Sequence, residues 1–380
     1  MLSEKSRSVD FPGLSGIHYM NSAAESIPPV CVGDALQQYF QDKLLGMNGR
    51  AKHFETFEAC REIASRLVSL APEEVSFCSC SSEAYNLLAS ALGLSSGDEV
   101  VVNDLDFPAG ATPWLASANP PAVRLWKSRD GSLVIDDLVE LLTDRTQLVQ
   151  LSLISFYNGH RVDWAQVVSA VRAYAPRAIL SLDVTQALGR VPVDARAADI
   201  VISSTHKWAL GTHGGCVVGI PSTSADRLTT HAGGWYHLEN AFNADRFERA
   251  TIKKGADSFS VGMPNFAAIY ALNASLRYVA NVGVKAIGQQ ADPLVRHLDA
   301  SLRELGFHPM CEHDPKLPSG IVAFQHPQYE AIHAQLLAEQ IHVMAHAGRL
   351  RVALHGYNTA QDVQRLLEVL KKVSGTFLAV

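Results

Sequence analysis

The chain has 380 residues, which is enough for one large domain and a smaller one with separate hydrophobic cores. Its composition, with 47% hydrophobic and 18% charged residues, is typical of a soluble globular enzyme. The net charge of −6 and the scattered basic residues give no basis for binding nucleic acid or an acidic membrane surface.

Targeting, membrane and metal signals are absent from the sequence. No segment reaches the ~18 continuous apolar residues of a membrane helix, and the N-terminus lacks the apolar core of a signal peptide. The six cysteines form no CxxC pair, and the 15 histidines form no HExxH motif or other zinc spacing. We therefore expect a cytoplasmic protein with free thiols and no bound metal.

Short apolar runs alternate with helical patterns between about residues 60 and 220. Buried strands are predicted at 100–105, 148–154, 178–184, 199–205 and 215–220. Between two of these strands, one helical face carries Val167, Val168, Val171 and Tyr174. This alternation predicts an α/β fold with a large, mainly parallel sheet wrapped by helices.

The C-terminal part has a different pattern. Strands are predicted at 320–325 and 350–354, and helices at 331–339 and 359–371. We expect a large domain at 30–265 and a smaller α/β domain formed by 1–29 and 266–380. In open α/β sheets, ligands bind at the carboxyl ends of the strands, so polar residues there are the first site candidates.

A serine-rich segment, CSCSSEAYNLLASAL at 78–92, precedes a helical pattern. Ser81 and Ser82 are expected to cap this helix with their side chains. The free N–H groups and positive dipole end of such a helix can bind a phosphate group. An ordinary N-cap without a ligand is the alternative.

Asp183 stands at the end of an apolar strand, where a carboxylate without a partner is costly. It could cap the following helix. It could also face a pyridinium nitrogen, because pyridoxal 5′-phosphate (PLP) withdraws electrons better when its ring is protonated.

Lys207 follows the next strand, in the apolar and glycine-rich segment SSTHKWALGTHGG at 203–215. A lone lysine is usually a solvated surface residue. Burial in such a turn lowers the pKa of a lysine and favours the neutral amine that forms a Schiff base. Lys207 is therefore the candidate for covalent attachment of PLP.

Several further motifs occur in a fixed order along the chain: YMNSAAESIPP at 19–29, NGRAKH at 48–53, DVTQALGRVPVD at 183–194, STHKW at 204–208 and LRVALHGYNTAQDVQRLL at 350–367. With the serine-rich segment, they make nearly the whole chain resemble the class V aminotransferase family of fold-type I PLP enzymes. This family includes cysteine desulfurases, selenocysteine lyases, kynureninases and isopenicillin N epimerase-like proteins.

The resemblance implies a role for each matching residue. Lys207 would carry the cofactor and move the α-proton, Asp183 would hold the ring nitrogen, and Gln186 would bind the phenolic oxygen. Phe107 would stack on the ring, and Arg351 would grip the substrate α-carboxylate, with His346 or Arg349 as alternatives. The phosphate group would be bound by Ser81, Ser82, Ser204 and His206. Asn158, on the loop at 155–163, is a further expected substrate contact.

Three departures from the family pattern narrow the expected chemistry. Desulfurases carry a nucleophilic cysteine shortly before the terminal arginine, whereas the stretch at 341–354 has none. Met263 replaces the threonine that commonly reaches the phosphate of the partner subunit. Phe156 occupies a position that is usually Asn, and its loop is closer to the epimerase-type pattern.

These patterns predict a PLP enzyme that acts on a small α-amino acid by transamination, epimerisation or elimination, and not by persulfide chemistry. A homodimer is expected, with His53, Trp235 and the segment 254–265 as cross-subunit candidates. A non-catalytic binding protein that kept the fold is the alternative. A dinucleotide dehydrogenase is disfavoured, because no GxGxxG follows an early strand.

Overall fold

A computed structural model describes residues 1–377. Its strands are β1 (His18–Tyr19), β2 (Val75–Cys78), β3 (Glu99–Asn103), β4 (Ala122–Trp126), β5 (Thr146–Ser152), β6 (Ile179–Asp183), β7 (Ile200–Ser204), β8 (Cys216–Gly219), β9 (Ile321–Gln325), β10 (Ile341–His342), β11 (Met344–His346) and β12 (Arg349–Ala353). The helices are α1 (Glu4–Asp10), α2 (Val30–Leu44), α3 (Arg50–Val68), α4 (Ser81–Leu92), α5 (Thr112–Leu115), α6 (Ile135–Leu141), α7 (Trp164–Tyr174), α8 (Phe266–Val282), α9 (Val284–Glu304), α10 (Tyr329–Ala338) and α11 (Ala360–Phe377).

The large sheet has the strand order β2-β8-β7-β6-β5-β3-β4. Strand β8 is antiparallel to its neighbours β2 and β7. The other neighbouring pairs, β7-β6, β6-β5, β5-β3 and β3-β4, are parallel. The central strands are buried on both faces, which is why they read as continuous apolar runs in the sequence. The predicted α/β fold with a mainly parallel sheet is confirmed.

Helices α3 and α7 pack on one face of this sheet, and α4 packs on the other. Helix α7 begins where the Asp163 carboxylate accepts a hydrogen bond from the N–H of Gln166, and its residues Val167 and Val171 are fully buried. Tyr174, expected on the same face, is 59% exposed because it lies at the last position of the helix.

A second core lies in the C-terminal part of the chain. The sheet β11-β12-β9 is antiparallel, and β10 pairs in parallel with β1 from the N-terminus. Helices α9, α10 and α11 supply the other apolar side chains of this core. The proposed domain boundary at 265/266 precedes α8, which packs against α2 and α3 of the large region. No helix of residues 1–377 is both long and apolar enough to cross a membrane.

Candidate active site

Three of the predicted residues lie where neighbouring elements of the large sheet end. Asp183 is the last residue of β6 and Ser204 the last of β7, and these strands are parallel neighbours. Lys207 follows three residues after Ser204. The parallel arrangement therefore brings Asp183, Ser204 and Lys207 to the same edge of the sheet, as expected for an α/β ligand site.

Asp183 is 9% exposed, and each of its carboxylate oxygens accepts a hydrogen bond. The Tyr85 hydroxyl donates to Oδ2 over 2.6 Å, and the Thr185 N–H donates to Oδ1 over 2.7 Å. Two donors stabilise the charged form of a buried carboxylate. The Thr185 contact is a local turn of the kind that a capping aspartate makes, but the Tyr85 contact joins Asp183 to a different element.

The side chain of Lys207 lies below the exposed ring of Phe107, with Nζ 5.4 Å from the ring centroid. Burial lowers the pKa of Lys207 to about 8; nearby Arg351 acts in the same direction and the Asp183 carboxylate opposes it. The lowered pKa favours the neutral amine that attacks a carbonyl group.

The turn after Lys207 is fixed by its backbone. The N–H of Leu210 donates to the Lys207 carbonyl, and Leu210 has a left-handed φ of 59° that is uncommon for a branched residue. Complete burial of Leu210 and Trp208 holds this conformation in place. The amine is therefore attached to a rigid segment.

The phosphate-binding residues predicted from the sequence are partly brought together. The Ser204 hydroxyl donates to the Ser81 hydroxyl over 3.1 Å at the start of α4. The capping prediction was wrong in detail, because Cys80 is the N-cap and makes no side-chain capping bond, while Ser81 and Ser82 lie in the first turn. The first-turn N–H groups of α4 are thus free of side-chain caps, which suits an anion.

His206 stacks on His213 with ring centroids 4.2 Å apart, and burial lowers the pKa of His206 to about 4. Within residues 1–377, Glu25, His206 and His213 form the group whose ligand atoms lie within 4.8 Å of one another.

The Gln186 amide is largely occupied by protein partners. Its Oε1 accepts from the Trp208 indole over 2.6 Å, and its Nε2 donates to the Ala23 carbonyl over 3.1 Å. One N–H of the amide remains for a ligand oxygen. The contact with the phenolic oxygen of the cofactor therefore stays a prediction.

Arg351 lies on β12, in the smaller sheet, and reaches the loop after β5. Its Nη1 donates to the Phe156 carbonyl over 2.6 Å, whereas its Nε is buried without a partner. Burial, followed by the nearby Arg349, lowers the pKa of Arg351 to about 10. Among the described residues the guanidinium has no ion-pair partner. Arg351 is therefore not a strand arginine that pairs with a nearby Asp or Glu.

Two other predicted contacts are bonded within the protein. Asn158 donates through Nδ2 to the Gly131 carbonyl over 2.6 Å and accepts from the His160 N–H, so its substrate contact stays a prediction. His53 is buried and its Nδ1 lies 3.1 Å from the Tyr270 hydroxyl. Because His53 lies inside the protomer, it is not available for the expected cross-subunit contact.

Sequence reasoning missed two residues near the site, the buried Tyr85 and the partly buried Asp106. Tyr85 bonds to Asp183, and Asp106 accepts a hydrogen bond from the Ser152 N–H, next to the end of β5. Burial raises the pKa of Asp106 to about 7, and Asp183 adds to this shift. Arg349, the predicted alternative to Arg351, stacks on Tyr157, with its guanidinium carbon 3.9 Å from the ring centroid. An inward-facing Tyr one turn after Ser81 was the available signal for Tyr85.

The family model of class V aminotransferases matches residues 18–366. The chain belongs to this family. Its members are PLP-dependent enzymes, so the predicted cofactor and the prediction of an enzyme are confirmed.

Known relatives cover nearly the full length of this class V chain. An uncharacterised aminotransferase of Bacillus subtilis, YcbU, is 24% identical over 94% of this chain and 95% of its own. A cysteine desulfurase of Yersinia pestis is 25% identical over 96% of each chain. The solved structure of a cysteine desulfurase from Thermococcus onnurineus has a TM-score of 0.88 at 22% identity, covering 99% of both chains. This likeness confirms the fold-type I architecture.

The residues present fit PLP. The lysine amine at the strand ends has a lowered pKa, two hydroxyls meet at an uncapped helix N-terminus, and a buried carboxylate is fixed by two hydrogen bonds. When bound, the cofactor withdraws electrons from the α-carbon of an attached amino acid. Lys207 would hold it covalently, and Asp183, Ser81 and Ser204 would bind its ring and phosphate.

Proposed function

We propose that this class V enzyme acts on a small α-amino acid by moving its α-proton, in a transamination, epimerisation or elimination. The observation that carries the proposal is the Lys207 amine, whose pKa of about 8 lets it accept a proton near neutral pH. Lys207 would hold the cofactor, and its amine would serve as the base that accepts the α-proton.

Arg351 supports an amino acid over a plain amine. Its guanidinium is buried, carries an unpartnered Nε, and is close enough to Lys207 to affect its pKa. A fork-shaped guanidinium binds a carboxylate through two parallel hydrogen bonds. The α-carboxylate of the substrate would supply the missing acceptor.

Cysteine-based persulfide chemistry is disfavoured by the position of the cysteines. Segment 341–351 has no cysteine. Cys311, the nearest one upstream, is buried, and its thiol lies 3.4 Å from the Asn158 carbonyl. Burial raises the pKa of Cys311 to about 12, so its thiol stays protonated and is a poor nucleophile.

We further propose a cytoplasmic homodimer with the active site near the interface. Large apolar side chains are exposed on the segment after β8, where Phe242 is 83% and Phe247 is 89% exposed. Trp235 and Met263, from the predicted cross-subunit set, are also exposed. Large apolar side chains that are exposed in one protomer favour association. Light scattering of the PLP-loaded protein tests this, and a monomer that retains PLP tightly would contradict it.

The function is tested by mixing the PLP-loaded protein with a panel of small amino acids in deuterated water. We expect solvent deuterium at the α-carbon of at least one amino acid, and analysis of its products then distinguishes keto acid, opposite enantiomer and elimination product. If no amino acid exchanges its α-proton, the proposed function is wrong.

A further inference from the structure

Helix α4 connects the two ends of the candidate cofactor site. Ser81, in its first turn, meets the Ser204 hydroxyl, and Tyr85, four residues later, meets the Asp183 carboxylate. Residues four apart lie on one face of a helix, so α4 presents both side chains to the strand ends. The same rigid element therefore contacts the residues assigned to the phosphate and to the ring nitrogen.

The direction of the hydrogen bonds at Tyr85 is set by its neighbours. The Gln150 Nε2 lies 3.4 Å from the Tyr85 oxygen and can only donate to it, which leaves the phenol proton for Asp183 Oδ2 at 2.6 Å. Burial, followed by Asp183, raises the pKa of Tyr85 well above its usual value. The phenol thus remains a neutral donor to the Asp183 carboxylate.

A second carboxylate, Asp106, contacts the end of the neighbouring strand. The Ser152 N–H donates to Asp106 Oδ1 over 2.8 Å, and Ser152 of β5 is the cross-strand partner of Asp183 in β6. Burial raises the pKa of Asp106 to about 7, and its Oδ2 is buried without a partner. The phenol of Tyr85 donates to Asp183 and not to Asp106, so of the two carboxylates it orients Asp183.

We propose that Tyr85 is a positioning residue that holds Asp183 as an oriented anion toward the ring nitrogen of the cofactor. The proposal rests on the proposed role of Asp183. Tyr85 itself touches neither substrate nor the reacting atoms. Its effect passes through the carboxylate, whose orientation it fixes by a hydrogen bond.

The test removes one hydroxyl with Tyr85→Phe and measures the dissociation constant of PLP by equilibrium dialysis. A hydrogen bond to a charged group contributes enough that we expect about tenfold weaker PLP binding and a changed visible spectrum of the bound cofactor. Turnover should fall with an unchanged KM for the amino acid, because Tyr85 does not contact the substrate.

Tyr270→Phe is the matched control. It deletes another buried tyrosine-to-aspartate hydrogen bond, 2.9 Å from Tyr270 to Asp42, between helices α8 and α2. Both variants should lose thermal stability to a similar extent, but only Tyr85→Phe should change PLP affinity and spectrum. Equal PLP affinity and spectra in the two variants would overturn the proposal.

A double-mutant cycle separates this proposal from the role of Asp183. In the Asp183→Ala background, Tyr85→Phe should change the PLP dissociation constant by less than about twofold, because its partner is gone. The same tenfold loss in both backgrounds would overturn the positioning role. If Asp183→Ala alone leaves PLP affinity unchanged, the assignment of Asp183 fails, and the proposal for Tyr85 fails with it.

Discussion

Asp183 and Arg351 are buried charged residues near Lys207, and their surroundings differ. Each oxygen of Asp183 accepts a hydrogen bond from the protein, whereas Arg351 has a buried Nε without a partner. Asp183 belongs to the central parallel sheet and Arg351 to the smaller antiparallel one. The difference teaches that the Asp183 carboxylate has its hydrogen bonds without a ligand, while the Arg351 guanidinium keeps a donor that an added anion could use.

Lys207 lies near both Asp183 and Arg351, and its loss should have the largest effect. Lys207→Ala removes both the covalent link to PLP and the base for the α-proton. We expect α-proton exchange to fall by about 10,000-fold, to near background, with PLP bound only non-covalently. Deuterium incorporation measured by NMR gives the rate. Exchange at more than a few per cent of the wild-type rate would mean that another group is the base.

Asp183→Asn tests the carboxylate whose two oxygens are both hydrogen-bonded. The variant keeps the shape but removes the negative charge that stabilises a protonated ring, so we expect turnover to fall by about 100- to 1,000-fold. The circular dichroism spectrum should be unchanged. Wild-type turnover in this variant would show that Asp183 only caps the turn at Thr185.

Arg351→Ala tests the guanidinium whose Nε has no partner in the protein. Losing a charge-assisted bond to the α-carboxylate should raise KM by about tenfold or more. Arg351→Lys should recover only part of this loss, since an ammonium group cannot make the two-pronged contact. The measurement compares an amino acid with its decarboxylated amine in each protein. If the preference for the carboxylate survives in Arg351→Ala, His346 or Arg349 is the better assignment.

Phe107→Ala should have the smallest effect, because it removes packing and no charge. Phe107 is 50% exposed, and its ring lies edge-to-face with Phe156 at 5.1 Å. Stacking on the cofactor contributes about 1 kcal/mol, so PLP retention should weaken by about fivefold. The dissociation constant of PLP measures this. An unchanged value would show that Phe107 packs only on Phe156.

The central strands could be predicted from the sequence because strands buried on both faces are runs of apolar residues. Strand β4 could not, because it is an edge strand whose residues are mostly exposed and carry no apolar run. Strand β2 has four residues, and Ser76 interrupts its apolar residues.

The residues of the site divide in the same way. Lys207 and Asp183 stand at the ends of strands, where an unusual charged residue is visible in the sequence itself. The partner of Asp183, Tyr85, is 98 positions away and is brought to it only by the packing of α4 on the sheet. Likewise, the burial of His53 depends on α8, which is more than 200 residues further along.

The most direct test of the account is to identify the lysine that carries the cofactor. Borohydride reduction of the PLP-loaded protein, followed by proteolysis and mass spectrometry of the labelled peptides, locates this residue. The account predicts label on Lys207 in the wild type and none on any lysine in Lys207→Ala. Label on a different lysine in the wild type would contradict the assignment of the whole site.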